Sequence, residues 1–159
     1  MNHLEQLIAE WYEYRGYFVR RNVRVGKRVK GGYECELDIV AFDPHTSKLV
    51  HIEPSSDTQT WATREARYKK KFDAGDKYIK DLFHGFKLPA KIEKQAIFLF
   101  GSKTRTTVGG GTVLLARDIL KQIHNDLRTK NIEKAIVPES FPLLRTLHIY
   151  IDQYDKMIL

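Results

Sequence analysis

Two carboxylates on neighbouring predicted strands are the side chains best placed to do chemistry. Asp38 lies in the segment ELDIVAFD and Glu53 in LVHIEPSSD, and the turn-like segment DPHTSK separates them. If the two strands pair through this turn, their acids converge near one edge of a sheet. Close carboxylates repel, so one must hold a proton unless a cation lies between them. Mg²⁺ prefers oxygen ligands and keeps bound waters, which suits attack on a phosphate ester. The alternative is that both are surface acids that balance nearby arginines.

The elements that must position these acids follow from the hydrophobic pattern. Helical spacing predicts a first helix near residues 2–15, and a longer helical pattern covers 62–83. Between them, β-branched and aromatic segments predict three strands at 17–25, 33–42 and 48–53. Their short connections indicate an antiparallel meander.

The second half of the chain continues this alternation. A continuous apolar run over 95–101 predicts a strand that is buried on both faces. An amphipathic helix follows over 112–129, then a short strand at 134–138, and a helix beginning at Pro142, although HIYI in this tail also favours a strand. The order indicates an α/β protein, with helices on the faces of one mixed sheet, in a single domain spanning 1–159.

Composition limits the classes of protein. The 159 residues are 42% hydrophobic and 30% charged, as in one globular domain. No segment approaches the roughly 18 apolar residues of a membrane span, and the acidic N-terminus lacks a signal-peptide core. The single Cys35 excludes an internal disulfide and a thiolate metal cluster, so we expect a cytoplasmic protein. The net charge of +7 permits a polyanionic partner without requiring one.

Three motifs, taken in order, resemble the PD-(D/E)XK nuclease superfamily, which includes many restriction enzymes and archaeal Holliday-junction resolvases. LEQLIAEWYEYRGYFVRR resembles the family's first helix and strand, ELDIVAFD its metal-binding Asp strand, and LVHIEPSSD its E-x-K strand. The match covers residues 2 to about 101. The resemblance implies a restriction-endonuclease-like core of order αβββαβ, here with additional C-terminal helices.

The resemblance also implies roles for individual residues. Asp38 and Glu53 would bind Mg²⁺ or Mn²⁺, and Glu5 would be an accessory acid. The family's lysine is missing, because Ser55 occupies its position two residues after Glu53. Another residue would then supply the lysine, the metal alone would activate the water, or the protein would bind nucleic acid through an inactive site.

The helix after the Glu53 strand offers a replacement lysine. Helical spacing places Arg64 and Lys71 at the edge of the apolar face, while Lys69 and Lys70 point more to solvent. Some members of the superfamily carry a relocated catalytic side chain on this helix, so we expect Lys71 to stand in for the missing lysine. The alternative is that the lysine triplet is a solvated charge run.

A nucleic-acid partner follows from the same resemblance. The glycine-rich segment at 101–112 is basic and precedes a predicted helix, so it could hold a phosphate, or it could be a flexible loop. We expect DNA, including branched or single-stranded forms, and a homodimer fits so small a chain. The rival hypotheses are an inactive nucleic-acid-binding module and a protein-interaction domain. The predicted DNA contacts are Arg20, Arg21, Arg24, Arg64, Lys70, Lys103 and Arg105.

Overall fold

The computed structural model describes residues 2–158, which form a six-stranded mixed sheet with helices on both faces. The first half contains α1 (His3–Tyr14), β1 (Phe18–Lys27), β2 (Tyr33–Asp43), β3 (Lys48–Ser55), α2 (Trp61–Tyr78) and a 3₁₀ turn (Ile79–Leu82). The second half contains β4 (Glu93–Phe98), β5 (Thr107–Val108), β6 (Gly111–Leu115), α3 (Ala116–Arg128), α4 (Ile132–Ala135) and α5 (Pro142–Ile158).

The sheet has the strand order β1-β2-β3-β4-β6-β5. The first three strands form the predicted antiparallel meander, and the DPHTSK turn pairs Asp43 with Lys48. Strands β4 and β6 then add in parallel to β3, and β5 returns antiparallel to β6. The predicted α/β class and mixed sheet are therefore confirmed.

Side-chain alternation along β2 and β3 divides the core between the two faces of the sheet. Ile39 and Ala41 pack with α1, α3 and α5, whereas Val40 and Phe42 pack towards the end of α2. The apolar residues of β4 are fully buried, as expected for a parallel strand that is covered on both sides. Within residues 2–158, no helix has both the length and the hydrophobicity that crossing a bilayer requires.

Two element predictions in the second half were wrong. The helix predicted over 112–129 begins only at Ala116, because the residues before it form β6 and pair in parallel with β4. A short apolar run fits the period of a helix or of a strand, and the open edge of β4 decides in favour of the strand. The strand predicted at 134–138 is also absent from the described residues, where Ile132–Ala135 is a single helical turn. The C-terminal helix is confirmed as Pro142–Ile158.

The glycine run at 109–111 lies in a hairpin and not before a helix. Gly109 and Gly110 connect β5 to β6, and Gly109 adopts a positive φ of 56°. A Cβ at Gly109 would collide with the backbone of Lys69 on α2. The run therefore allows the hairpin to lie directly against α2, and the helix N-terminus considered as a phosphate site does not begin at this run.

Candidate functional site

The structure brings the two predicted acids together at the centre of the sheet. The pairing of Ile39 with Ile52 sets Asp38 beside Glu53, and the Asp38 backbone N–H donates to Glu53 Oε1 at 3.2 Å. The Asp38 side chain is 16% exposed, and that of Glu53 is 1% exposed. Two acids in so dry a place need compensating donors or a cation.

Lys71 supplies that cation. Its Nζ donates to Asp38 Oδ1 at 2.7 Å and also contacts Glu53 Oε2. The lysine reaches the acids because α2, capped by the Thr60 side chain, buries one stripe against the sheet and carries Lys71 at the edge of that stripe. An ammonium thus lies between the two carboxylates, where the sequence predicts that a cation is needed.

Burial and the neighbouring charges shift the pKa values of Asp38 and Lys71. Burial, followed by the charge of Glu53, raises the pKa of Asp38 to about 7, although Lys71 partly opposes the shift. Burial disfavours the charged form of Lys71, but the charges of Glu53 and Asp38 outweigh it and raise the pKa of the lysine above its ordinary value. Lys71 therefore remains an ammonium at neutral pH, while Asp38 changes charge near neutrality.

His51 holds Glu53 from the same strand. The ring is fully buried, and its Nε2 lies 2.7 Å from Glu53 Oε1. Burial, together with the charge of Lys71, lowers the pKa of His51 to about 3, so the ring is neutral and donates Nε2–H to the carboxylate. Tyr68 adds a hydroxyl donor to the backbone carbonyl of Glu53 at 3.3 Å. Glu53 is thus fixed at its side chain and at its backbone.

Gly75 on α2 makes room for this histidine. A Cβ at position 75 would collide with Nδ1 of His51, a buried atom that has no hydrogen-bond partner among the described residues. The glycine is part of the site because it lets the imidazole lie between α2 and β3.

Gly75→Ala is expected to lower the free energy of unfolding by about 1–3 kcal/mol, as overpacking in a core does. At an unconstrained helix position the same change would stabilise the protein by about 1 kcal/mol. Urea unfolding measures the effect, and the matched control is the same substitution in a His51→Ala background, where the collision is absent and the cost should shrink. Wild-type stability in Gly75→Ala would show that His51 does not pack against position 75.

Ser55 forms hydrogen bonds with a further acid, Asp57. It lies two residues after Glu53, at the position of the missing lysine, and its Oγ donates to the Asp57 carboxylate. The same Oγ accepts the Asp57 backbone N–H at 3.2 Å. Ser55 therefore organises the loop that follows β3, beside the Asp38 and Glu53 pair.

Two arginines of α2 bind the Asp57 residue of this loop. Arg64 is 3% exposed, and its guanidinium donates to Asp57 Oδ1 at 3.1 Å and to the carbonyls of Asp57 and Phe100 at 2.7 and 3.0 Å. Arg67 contacts the other oxygen of the Asp57 carboxylate. Burial favours the neutral acid, but the hydrogen bonds from Ser55 and Arg67 hold the pKa of Asp57 well below its usual range. Arg64 is thus enclosed, away from the surface where a DNA contact would require it.

One cleft, with a volume of about 380 Å³, is lined by Asp38, Glu53 and Lys71 and by the neighbouring loop residues and Arg67. Glu5 lies at its rim, where both carboxylate oxygens bond to Asn2 in the capping box of α1. Burial, and then the charge of Asp38, raises the pKa of Glu5. The accessory acid suggested by the resemblance therefore lies at the cleft. The lining comprises Asn2, Glu5, Asp38, Glu53, Pro54, Ser55, Ser56, Asp57, Arg67, Tyr68 and Lys71.

A larger groove of about 780 Å³ lies at the other end of β3. There Lys48 and Glu93 form an ion pair at 3.0 Å, with side chains 44% and 41% exposed. An exposed pair of this kind contributes little, and the other charged residues of the groove are Arg15, Asp43 and Lys91. The smaller cleft, where burial and the charge of Glu53 raise the pKa of Asp38, is the better candidate for chemistry.

The fit of a divalent ion can be tested from the donors present. Within residues 2–158, no group of three or more His, Cys, Asp or Glu side chains is arranged to hold a metal. Asp38 and Glu53 nevertheless share one cation, and their oxygens are the hard ligands that Mg²⁺ prefers. Since Mg²⁺ keeps several waters, two carboxylates suffice, and Lys71 would have to move aside. The donors therefore fit the ion.

The other predicted DNA contacts do not form one surface. On β1, Arg21 pairs with Glu13 of α1 at 2.7 Å, whereas Arg20 donates to the Leu82 carbonyl after α2. Arg24 pairs with Glu36 at 3.2 Å. The remaining three are exposed, and the guanidinium of Arg105 lies 5.3 Å from the Trp61 ring centroid. These three are Lys70, Lys103 and Arg105.

Sequence reasoning missed Asp57 and Arg67, and it interprets His51 as a packed strand residue on the same face as Glu53. Arg67 lies three residues after Arg64 and four before Lys71, so helical spacing already places it beside both. His51 precedes Glu53 by two residues on a strand, which puts both on one face. For Asp57 there was no such signal, because its contacts depend on the conformation of the loop.

Comparison of the chain with protein-family models, with curated proteins and with solved structures gives no match. The functional interpretation therefore depends on the cleft itself.

Proposed function

We propose that this chain is a metal-dependent nuclease that hydrolyses DNA phosphodiester bonds in the cleft between α2, the middle of β2 and the end of β3. The observation that carries the proposal is the reach of Lys71 to both Asp38 and Glu53. The cleft thereby combines two acids and a lysine, the set that the Asp strand and the E-x-K strand of the resemblance supply together, although Ser55 stands at the usual lysine position.

Each residue has a part in this proposal. Asp38 and Glu53 would hold Mg²⁺ or Mn²⁺, which when bound lowers the pKa of a water and offsets phosphate charge. His51 and Tyr68 keep Glu53 in place. Lys71 is an ammonium, so it donates hydrogen bonds and does not accept the proton of the water. Once displaced from the acids, it stabilises the negative charge that develops on the phosphate oxygens.

The order of elements supports the proposal independently of the cleft. A helix, a three-strand meander, a second helix and a strand parallel to the third reproduce the αβββαβ core that the resemblance implies. A fold alone does not specify an activity, so the weight remains on the paired acids.

A second candidate is a nucleic-acid-binding module on the same fold that does not cleave. The observation in its favour is that Lys71 already neutralises the two acids without a metal ion. An ammonium that never leaves the acids would exclude the ion and disable the chemistry.

One assay separates the two candidates. The purified protein is incubated with supercoiled plasmid, single-stranded DNA and a branched junction, in Mg²⁺, Mn²⁺ or EDTA, and the products are resolved on gels. We expect cleavage with either ion and none in EDTA. Binding without cleavage in every condition would establish the second candidate, and neither binding nor cleavage would contradict both.

A further inference from the structure

Arg67 is the second cation of the cleft. Among its described lining residues only Arg67 and Lys71 carry a positive charge. The Arg67 side chain is 37% exposed, against 22% for Lys71, so it is the more accessible of the two. The two lie four residues apart on α2, which places them one above the other on the same side of the helix.

Asp57 has compensating partners besides Arg67. One carboxylate oxygen accepts from Arg64 Nε and from the Gln59 backbone N–H at 3.1 and 3.0 Å, and the other accepts from Ser55 Oγ. Arg64 is buried and supplies a full positive charge. With Arg67 added, the three side chains of Arg64, Arg67 and Asp57 carry two positive charges and one negative charge. This local surplus lies on the exposed Arg67, beside the cleft acids Glu5, Asp38 and Glu53, which Lys71 offsets in part.

The remaining contacts of Arg67 orient its guanidinium and leave it able to donate further hydrogen bonds. Its guanidinium lies 5.2 Å from the centroid of the Tyr68 ring, and its contacts to Ser55 and Gln59 are long, at 3.4 Å each. A planar guanidinium held in this way can bind two oxygens of one phosphate at once, which a lysine cannot do.

We propose that Arg67 is a phosphate-binding residue that holds a backbone phosphate of the nucleic acid beside the Asp38 and Glu53 pair, with Tyr68 presenting its guanidinium to the cleft. This inference deepens the proposed nuclease function and depends on it for the identity of the ligand. Arg64, which compensates Asp57, allows Arg67 to exchange its carboxylate partner for a phosphate.

The test measures binding separately from cleavage. A fluorescent oligonucleotide is titrated with wild type, Arg67→Ala and Arg67→Lys in EDTA, at several salt concentrations. Loss of one phosphate contact should reduce the slope of log affinity against log salt by about 1 in Arg67→Ala, whereas Arg67→Lys should keep the slope. In Mg²⁺, the lysine variant should still cleave more slowly than wild type, because a point charge cannot bind the phosphate in two places.

Lys69→Ala is the matched control, since it removes one charge from the same helix at an exposed residue that pairs with Asp73. Its slope should remain that of wild type. Thermal unfolding of Arg67→Ala should stay close to wild type, because Arg64 still compensates Asp57.

The outcomes distinguish this inference from the nuclease proposal. If wild type cleaves and Arg67→Ala binds with an unchanged slope, the inference is overturned and the nuclease proposal stands. If the slope falls in Arg67→Ala but wild type never cleaves, the phosphate site stands and the nuclease proposal fails. Absence of any binding by wild type would overturn the inference as well.

Discussion

Lys71→Ala is expected to lower metal-dependent DNA cleavage by roughly 10²–10³-fold, the range for losing one donor that stabilises charge in the transition state. The reason is geometric. Lys71 is the described cation that contacts both Asp38 and Glu53, and Ser55 is bonded to Asp57 and cannot replace it. Single-turnover rates at saturating protein separate this effect from any change in DNA affinity.

Lys69→Ala is again the control, because it removes the same charge from the same helix without touching the acids. The Lys71→Ala protein should also lose about 2 kcal/mol of stability near neutral pH, since Glu53 stays buried without its cation. Cleavage by Lys71→Ala at the wild-type rate would show that the lysine is not the substitute for the missing E-x-K residue.

Asp38→Asn is expected to change activity and stability in opposite directions. Cleavage should fall by roughly 10²-fold or more, as when a group that stabilises the transition state is removed. Stability above neutral pH should instead rise by about 1–2 kcal/mol, the usual gain from relieving a strained functional site. The gain follows from the raised pKa of Asp38, about 7, which already includes the favourable contact with Lys71.

The sign of the pH dependence follows from proton linkage. An ordinary aspartate in the unfolded chain has a pKa of about 3.9. Between that pH and about 7, the folded state therefore holds more protons than the unfolded state. Asp38 therefore lowers stability progressively across that window, and the full cost applies above about pH 7. Urea unfolding of wild type and of Asp38→Asn at about pH 8 and about pH 4 measures this difference in stability. An equal loss of stability in Asp38→Asn at both values would mean that Asp38 has only a structural role.

Much of the cleft could be predicted because it depends on local periodicity. Strand alternation and a short turn are enough to set Asp38 beside Glu53, and the apolar stripe of α2 is enough to bring Lys71 within reach. Both arguments use spacings within one element or across one turn, where geometry leaves few choices.

The parts that were missed depend on contacts between distant segments. The hairpin of β5 and β6 forms because β4 offers an open edge, and a helical period in the sequence could not show that edge. Gly109 and Gly75 are glycines because Lys69 and His51 approach them, which only the packing of α2 against the sheet determines. The Asp57 cluster depends on the loop between β3 and α2, where no period applies.

The central claim is that Asp38, Glu53 and Lys71 form a metal-dependent hydrolytic site. The most direct test compares plasmid cleavage by wild type and by Asp38→Asn, purified in parallel by the same steps and assayed over a Mg²⁺ titration. The account predicts cleavage that rises with Mg²⁺ in wild type, disappears in EDTA and is lost in Asp38→Asn while that protein remains folded. Equal Mg²⁺-dependent cleavage by the two preparations would contradict it, because the activity would then come from a different site or a different protein.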